Sequence, residues 1–316
     1  SINIMINYFE FEKDIEKIDE FIFDLDKREN KYLTKLDKLN FEKKKKFDKI
    51  YSNLEPWQKV QVSRHNDRPH AMFYIQSIFE DIVFLHGDKK YADDNAIIGG
   101  LAKINNQSIV FIGTEKGNTM DTRIKHNFGM AKPEGYRKSQ RLVSLAEKFN
   151  LPIVSFVDTA GAFPGKDAEE RGQSESIASS ILSFLKVKIP TISVIIGEGG
   201  SGGAIGIATS DVVLMLEHST YSVISPEGCA SILWRSTNFT QEAANTLKLT
   251  SEDCKKFKIV DSIIPELSGG AHRNASSQAE LVKKYIFNNI EDLKKILTKD
   301  LIENRKNKYL NITSDI

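Results

Sequence analysis

IIGEGGSGGAIGIATS, residues 195–210, decides how the rest of the chain is read: five of the seven positions from Gly197 to Gly203 are glycine, and the run meets two functional patterns at once. From Gly197 it reads G-x-G-x-x-G through Gly199 and Gly202, with an acid, Glu217, about 20 residues on, as a dinucleotide-binding turn requires. From Gly199 it reads G-x-S-x-G, which makes Ser201 a candidate nucleophile with Asp261 and His272 following in hydrolase order. The residues before the run are β-branched and those after it are small and apolar, so it is a strand, a tight turn and the start of a helix. The first N–H groups of such a helix have no preceding turn to donate to, and the helix dipole adds positive charge there. Glycine at 202 and 203 lets an oxygen approach both amides closely, which suits an oxyanion as well as a pyrophosphate.

The wider sequence separates the two patterns. A second strand-turn-helix unit stands upstream, VSFVDTAGAFPG at 154–165 followed by AEERGQSESIASSIL, and neither unit opens the chain as a dinucleotide fingerprint usually does. Ser201, between four glycines, reads more simply as a helix N-cap than as a nucleophile. No side chain near either turn declares itself as an obligatory acid or base. That pattern suits chemistry in which the protein stabilises an oxyanion and the proton is moved by the reactants.

Around these turns the texture is α/β. Strands are expected at Ile97–Ile104, Ser108–Gly113, Ile153–Asp158, Thr191–Ile196 and Val212–Leu216, with a short one near Ile259–Ile264. Helical patterns fall between them at 136–149, 170–185 and 203–208, which implies right-handed crossovers. Residues 1–55 differ, being dense in Lys, Asp and Glu, and are read as an N-terminal charged helical hairpin. Its stripes run through Phe11, Ile15, Ile18, Ile22 and Leu25, then, after the DKREN turn, through Leu36, Leu39, Phe47, Ile50 and Leu54. Residues 56–316 form the main domain, closed by a stripe at Val282, Ile286, Ile290, Leu293 and Leu297 that is expected to pack outward or across a subunit boundary.

Composition narrows the function. With 316 residues, 40% hydrophobic and a formal net charge of +1, nothing in the balance calls for nucleic acid or a membrane surface. Two cysteines, Cys229 and Cys254, supply neither a disulfide framework nor a structural zinc site, so no metal is expected in this chain. No apolar run reaches spanning length and the start lacks the order of a secretory signal, so a cytoplasmic setting is expected. Arg123, Lys125, His126, Lys132, Arg137 and Lys138 read as a solvated basic surface.

The stretches HGDKKYADDNAIIGGLA (86–102), NFGMAKPEGYRK (127–138), DTAGAFPG with EERGQSE (158–175), GEGGSGGA (197–204), STYSVISPEGCASILW (219–234), IVDSIIPE (259–266) and GGAHR (269–273) together closely resemble the carboxyltransferase alpha subunits of bacterial and plastid-type acetyl-CoA carboxylase. The likeness runs in order from about Asn7 to Arg305 and includes the hairpin and PWQKVQVSRHNDRPH. It implies a ClpP/crotonase-like α/β fold of repeated ββα units wound as a superhelix. It implies an α2β2 assembly with a zinc-containing beta subunit, supplied with carboxybiotin by the biotin carboxyl carrier protein after an ATP-using biotin carboxylase has loaded it. The reaction implied is carboxyl transfer to acetyl-CoA, giving malonyl-CoA for fatty-acid synthesis, with activity only alongside beta.

On this reading the amides of Gly202 and Gly203 receive the charge that develops on the biotin ureido oxygen, and Gly161, Ala162, Gly165, Gly199 and Gly200 wall the biotin pocket. The freed biotin nitrogen then takes the proton from the acetyl methyl. Two departures stand out. Ala160 and Phe163 replace the family's usual proline and tyrosine, and Thr114-Glu115 stand where relatives have His-Gln. Competing readings are a single-chain crotonase-type acyl-CoA hydratase or isomerase using Glu198 or Glu227 as base, a scaffold subunit, and a ClpP-like peptidase using Ser201.

Overall fold

The computed structural model describes residues 7–26, 33–267 and 269–314. Its hairpin consists of α1 (Lys13–Asp26) and α2 (Leu33–Tyr51), with all of the DKREN turn after Asp26 lying outside the described residues. The helices are antiparallel, since Asp19 pairs with Lys43, Asp14 with Lys46 and Glu12 with Tyr51. Their stripe closes on the body of the protein: Ile15, Phe47 and Tyr51 pack with Val62 of α3 (Pro56–Ser63). Pro56 sits in the first helical turn of α3, where its missing N–H costs nothing.

After α4 (Ala71–Ile78) the sheet begins with β1 (Glu80–Phe84), β2 (Ile97–Ile104) and β3 (Gln107–Thr114), an antiparallel meander. From there crossovers take over. Helices α5 (Met120–Lys125) and α6 (Pro133–Lys148) lead to β4 (Ile153–Thr159), and α7 (Lys166–Glu170) and α8 (Gln173–Lys186) lead to β5 (Thr191–Gly200). Then α9 (Ser201–Ala208) leads to β6 (Val212–Leu216), and β7 (Thr220–Ser222) is followed by α10 (Pro226–Trp234), α11 (Thr240–Leu247), α12 (Ser251–Lys256) and β8 (Ser262–Ile264). The order is β1-β2-β3-β4-β5-β6-β8, parallel from β3 onward, with β7 pairing the end of β5.

Both faces of the parallel part are covered, so β4 is buried at all seven positions and reads as a continuous apolar run. The two-residue period still sorts the side chains. Phe111, Val154, Phe156, Ile192 and Val194 face α4 and α13 (Ala275–Leu293), whereas Val110, Ile112, Ile153, Val157 and Ile195 face α6, α8 and α9. The stripe of α13 therefore packs inward, not outward or across a subunit boundary as expected. Val282, Ile286 and Ile290 are wholly buried because, with α4, they cover the sheet face opposite α6, α8 and α9, and only Leu297 beyond the helix stays exposed. Finally, α14 (Thr298–Leu310) sends Arg305 into the interior, where it pairs with Asp211 at 2.7 and 2.8 Å and donates to the carbonyls of Phe184, Val187 and Ile189 at the end of α8.

Candidate active site

The ends of β4 and β5 lie side by side at the carboxyl edge of the sheet, where ligands bind in open parallel folds. A register shift between Val157 and Thr159 brings Thr159 opposite Gly199 and lays the turn after β4 across the glycine run. Three of the glycines exist for that contact. A Cβ on Gly197 would lie 2.4 Å from Asp158 Oδ1, one on Gly200 2.2 Å from the Ala160 carbonyl oxygen, and one on Gly203 2.5 Å from the Ala162 nitrogen. Gly199 lies equally close under the Tyr221 ring, at 2.7 Å. Gly202 is different. A Cβ there would meet only Ile177 of α8, at 3.6 Å, which is ordinary van der Waals contact, and its φ is outside the left-handed region.

Gly202 is half-buried and Gly203 buried at the first turn of α9, whose N-cap is Gly200 with no side-chain cap. Ser201 is therefore not the N-cap that the sequence suggested. It is the first helical residue, exposed, and held at φ 48, a conformation that costs a non-glycine residue. In the facing turn Gly161 adopts φ 149 and donates to Thr159 Oγ1 at 3.1 Å, while the Phe163 N–H donates to the Ala131 carbonyl at 2.9 Å. Ala162, between them, has an N–H with no acceptor among the described residues. Gly161, Ala162, Gly199, Gly200, Gly202 and Gly203 are thus brought together, whereas Gly165 instead caps α7 with the Phe163 ring against it. An apolar cavity of about 350 Å³ lies beside Ser201, walled by Ile205, Val213, Tyr221, Val223 and Tyr309.

Beneath the turns lies an ionic cluster that pattern-matching missed. Asp158, at the end of β4, accepts from His70 Nδ1 at 2.7 Å, from Lys116 Nζ at 2.9 Å and from the Glu198 N–H at 3.0 Å. The Glu198 carboxylate bridges Lys116 and Arg64, each at 2.6 Å, and Arg64 reaches on to Glu227 at 2.6 Å. Burial alone would raise the carboxyl of Asp158, but Lys116 and His70 outweigh it and hold the group well below the carboxylate range. Glu198 is likewise held low, burial being overcome by Lys116 and Arg64. The members lie up to 163 residues apart, so no local pattern links them. Their only sequence signal is that all but Lys116 sit in a block carrying the family likeness.

The rival constellations do not assemble. Asp261 is bound by Lys308, and His272 is stacked on His65 with ring centroids 4.0 Å apart, packed against Phe9 beside the hairpin. Glu198 and Glu227 are both engaged by Arg64, and a carboxylate so stabilised is a poor general base. Thr114 Oγ1 accepts the Asp158 N–H at 2.6 Å and Glu115 accepts the N–H groups of Met72 and Gly117, so both serve the architecture. The basic surface needs correcting too. Lys138 is buried against Asp93, Arg137 pairs with Asp88 and Glu134, and Lys132 with Asp167. These cations join segments that are distant in sequence.

Comparison with known proteins fits this geometry. The profile of the acetyl co-enzyme A carboxylase carboxyltransferase-like family matches residues 8–313. The chain belongs to this family. It is 47% identical to the acetyl-coenzyme A carboxylase carboxyl transferase subunit alpha of Pelagibacter ubique, over 98% of this chain and 85% of the relative. With the subunit of the same name from Rhodospirillum centenum the identity is 49%, over 97% and 98%. Among solved structures, the geranyl-CoA carboxylase beta subunit of P. aeruginosa superposes with a TM-score of 0.55 at 14% identity, over 75% of this chain and 45% of that one, a likeness of fold. Membership of the acetyl-CoA carboxylase carboxyltransferase family agrees with the mixed α/β sheet.

Proposed function

We propose that this chain is the alpha half of a two-subunit carboxyltransferase that moves the carboxyl group from carboxybiotin, carried on biotin carboxyl carrier protein, to acetyl-CoA, yielding malonyl-CoA in the cytoplasm. The observation that carries the site is Gly202: a Cβ at 197, 199, 200 or 203 would collide with protein atoms at 2.2–2.7 Å, whereas one at 202 would meet only Ile177 in ordinary contact, so no clash explains this glycine. A glycine that packing does not require suits a close approach of a ligand to the backbone. On this reading the amides of Gly202 and Gly203 receive the ureido oxygen of biotin; in support, they lie in the first turn of a helix with no side-chain cap, with the Ala162 nitrogen close to Gly203. When bound, carboxybiotin would supply the carboxyl group and, through its ureido group, the acceptor for the acetyl proton. What the chain adds is a dipole oriented in advance, typically worth about 2.7–4 kcal/mol per donor. The cavity beside Ser201 offers apolar walls to the rest of the biotin. The beta subunit, which holds the acyl-CoA and a zinc site, completes the pocket, and biotin carboxylase recharges the carrier at the expense of ATP.

Malonyl-CoA decarboxylation coupled to biotin carboxylation, measured with this chain, the cognate beta subunit and their mixture, tests the reading. Activity confined to the mixture supports it. Turnover by this chain alone, or none in a well-formed complex, overturns it.

A further inference from the structure

We infer that Asp158 is a positioning residue for the carboxyl transfer, acting through the backbone of the glycine run. This rests on the reading of Gly202 and Gly203 given above. Asp158 is buried at the penultimate position of β4 and is gripped from four sides: His70 from the start of α4, Lys116 from the segment after β3, the Thr114 hydroxyl on its own N–H, and the Glu198 N–H from β5. The last of these is a direct hold on the glycine run. The carboxylate occupies the space that a Gly197 side chain would need, 2.4 Å from an ideal Cβ, and binds the next residue's amide at 3.0 Å. One residue on from Asp158, Thr159 Oγ1 donates to the Gly129 carbonyl at 2.6 Å and accepts the Gly161 N–H at 3.1 Å, fixing the facing turn. The same short segment of β4 therefore fixes both the glycine run and the turn packed against it, with the Ala162 nitrogen close to Gly203. A carboxylate held by two cationic or ring N–H donors cannot swing, so the distance between the turns is set before any ligand arrives. Catalysis by fixed dipoles depends on such pre-set spacing, because donors that shift by a fraction of an ångström lose more in the transition state than in the ground state.

The cluster's charge makes a clean test available. Arg64 and Lys116 face the carboxylates of Asp158, Glu198 and Glu227, so Asp158→Asn leaves two cations against two carboxylates and keeps the shape of the side chain. In the complex with beta, Asp158→Asn is expected to lower kcat of the reverse reaction about tenfold, with KM for free biotin and for malonyl-CoA within about twofold of the parent. His70→Ala, which removes one grip and leaves the carboxylate on Lys116, is expected to lower kcat about threefold with the same unchanged KM values. Unchanged kcat in Asp158→Asn, or a loss carried wholly by KM, or a loss that only follows the fraction of folded complex in a thermal melt, overturns the inference. Should Asp158→Asn not fold, His70→Ala decides alone, and parental kcat in it is equally fatal. Gly202→Ala, run alongside, keeps the two readings apart. A fully active Gly202→Ala refutes the oxyanion site itself, whereas an impaired Gly202→Ala with a parental Asp158→Asn refutes only the positioning role.

Discussion

Gly202→Ala and Gly203→Ala differ by one position and are expected to behave in opposite ways. At 203 the new methyl would lie 2.5 Å from the Ala162 nitrogen and 2.6 Å from the Gly161 carbonyl carbon, both backbone atoms that cannot rotate aside. The turn must move, and overpacking of this kind costs about 1–3 kcal/mol. At 202 the methyl would touch only Ile177, at 3.6 Å, and alanine in a helix is favoured over glycine by up to about 1 kcal/mol. Gly202→Ala is thus expected to melt within about 4 °C of the parent or slightly above it. Yet its methyl fills the approach to the amide, and a lost oxyanion contact lowers turnover by about 10². Thermal melts of each variant and steady-state kinetics of the assembled complex give the two readouts. A stable, assembled Gly202→Ala with parental kcat/KM would refute the reasoning, as would a Gly203→Ala that melts like the parent.

Arg305→Met should be the most destabilising single change away from the turns, since it strands the carbonyls of Phe184, Val187 and Ile189 and leaves Asp211 without its buried counter-charge. A loss of about 3–5 kcal/mol is expected in urea unfolding, with kcat retained at low temperature. Glu227→Gln tests the hydratase alternative: with Glu227 serving only Arg64, activity should stay within about fivefold, whereas a catalytic base would lose several decades. His272 bears on the acid limb of stability. Burial first, then the cations Arg273 and Arg68 and the neighbouring His65, push its imidazole from 6.5 down to about 2, so the unfolded chain binds a proton that the folded chain refuses. Stability should therefore fall as pH drops below about 6.5, at up to about 1.4 kcal/mol per pH unit for this group. Urea midpoints for His272→Phe should show a shallower decline between pH 6.5 and 5. An identical slope would sink the assignment.

Much of the fold was legible because strands buried on both faces, parallel or not, leave an apolar run. The apolar runs at 97–104 and 212–216 gave strand bounds to the residue, and those at 153 and 191 gave the correct starts. Where the runs are short or polar the sequence was silent. Glu80–Phe84, with exposed positions, and the three-residue β7 pair through the backbone and so leave no apolar period. The inward packing of α13 was unreadable for a different reason: a stripe states that one face is buried but not against what.

The site divides along the same line. The sequence by itself determined the chemistry class, because seven blocks in one order, two small-residue turns at strand ends and the lack of a declared acid or base are all properties of a linear string. It could not say which glycine packing requires and which it does not, since all five look alike until the Ala160–Ala162 turn is laid across them. Only the tertiary structure decided that Gly197, Gly200 and Gly203 answer to Asp158 and the turn after β4, while Gly202 meets only Ile177, in ordinary contact. Only it gathered His70, Lys116 and Arg64 around Asp158 and Glu198. The physical reason is common to both: hydrogen bonds and steric exclusion act over about 3 Å in space, and the groups that meet here are separated by up to 163 residues of chain.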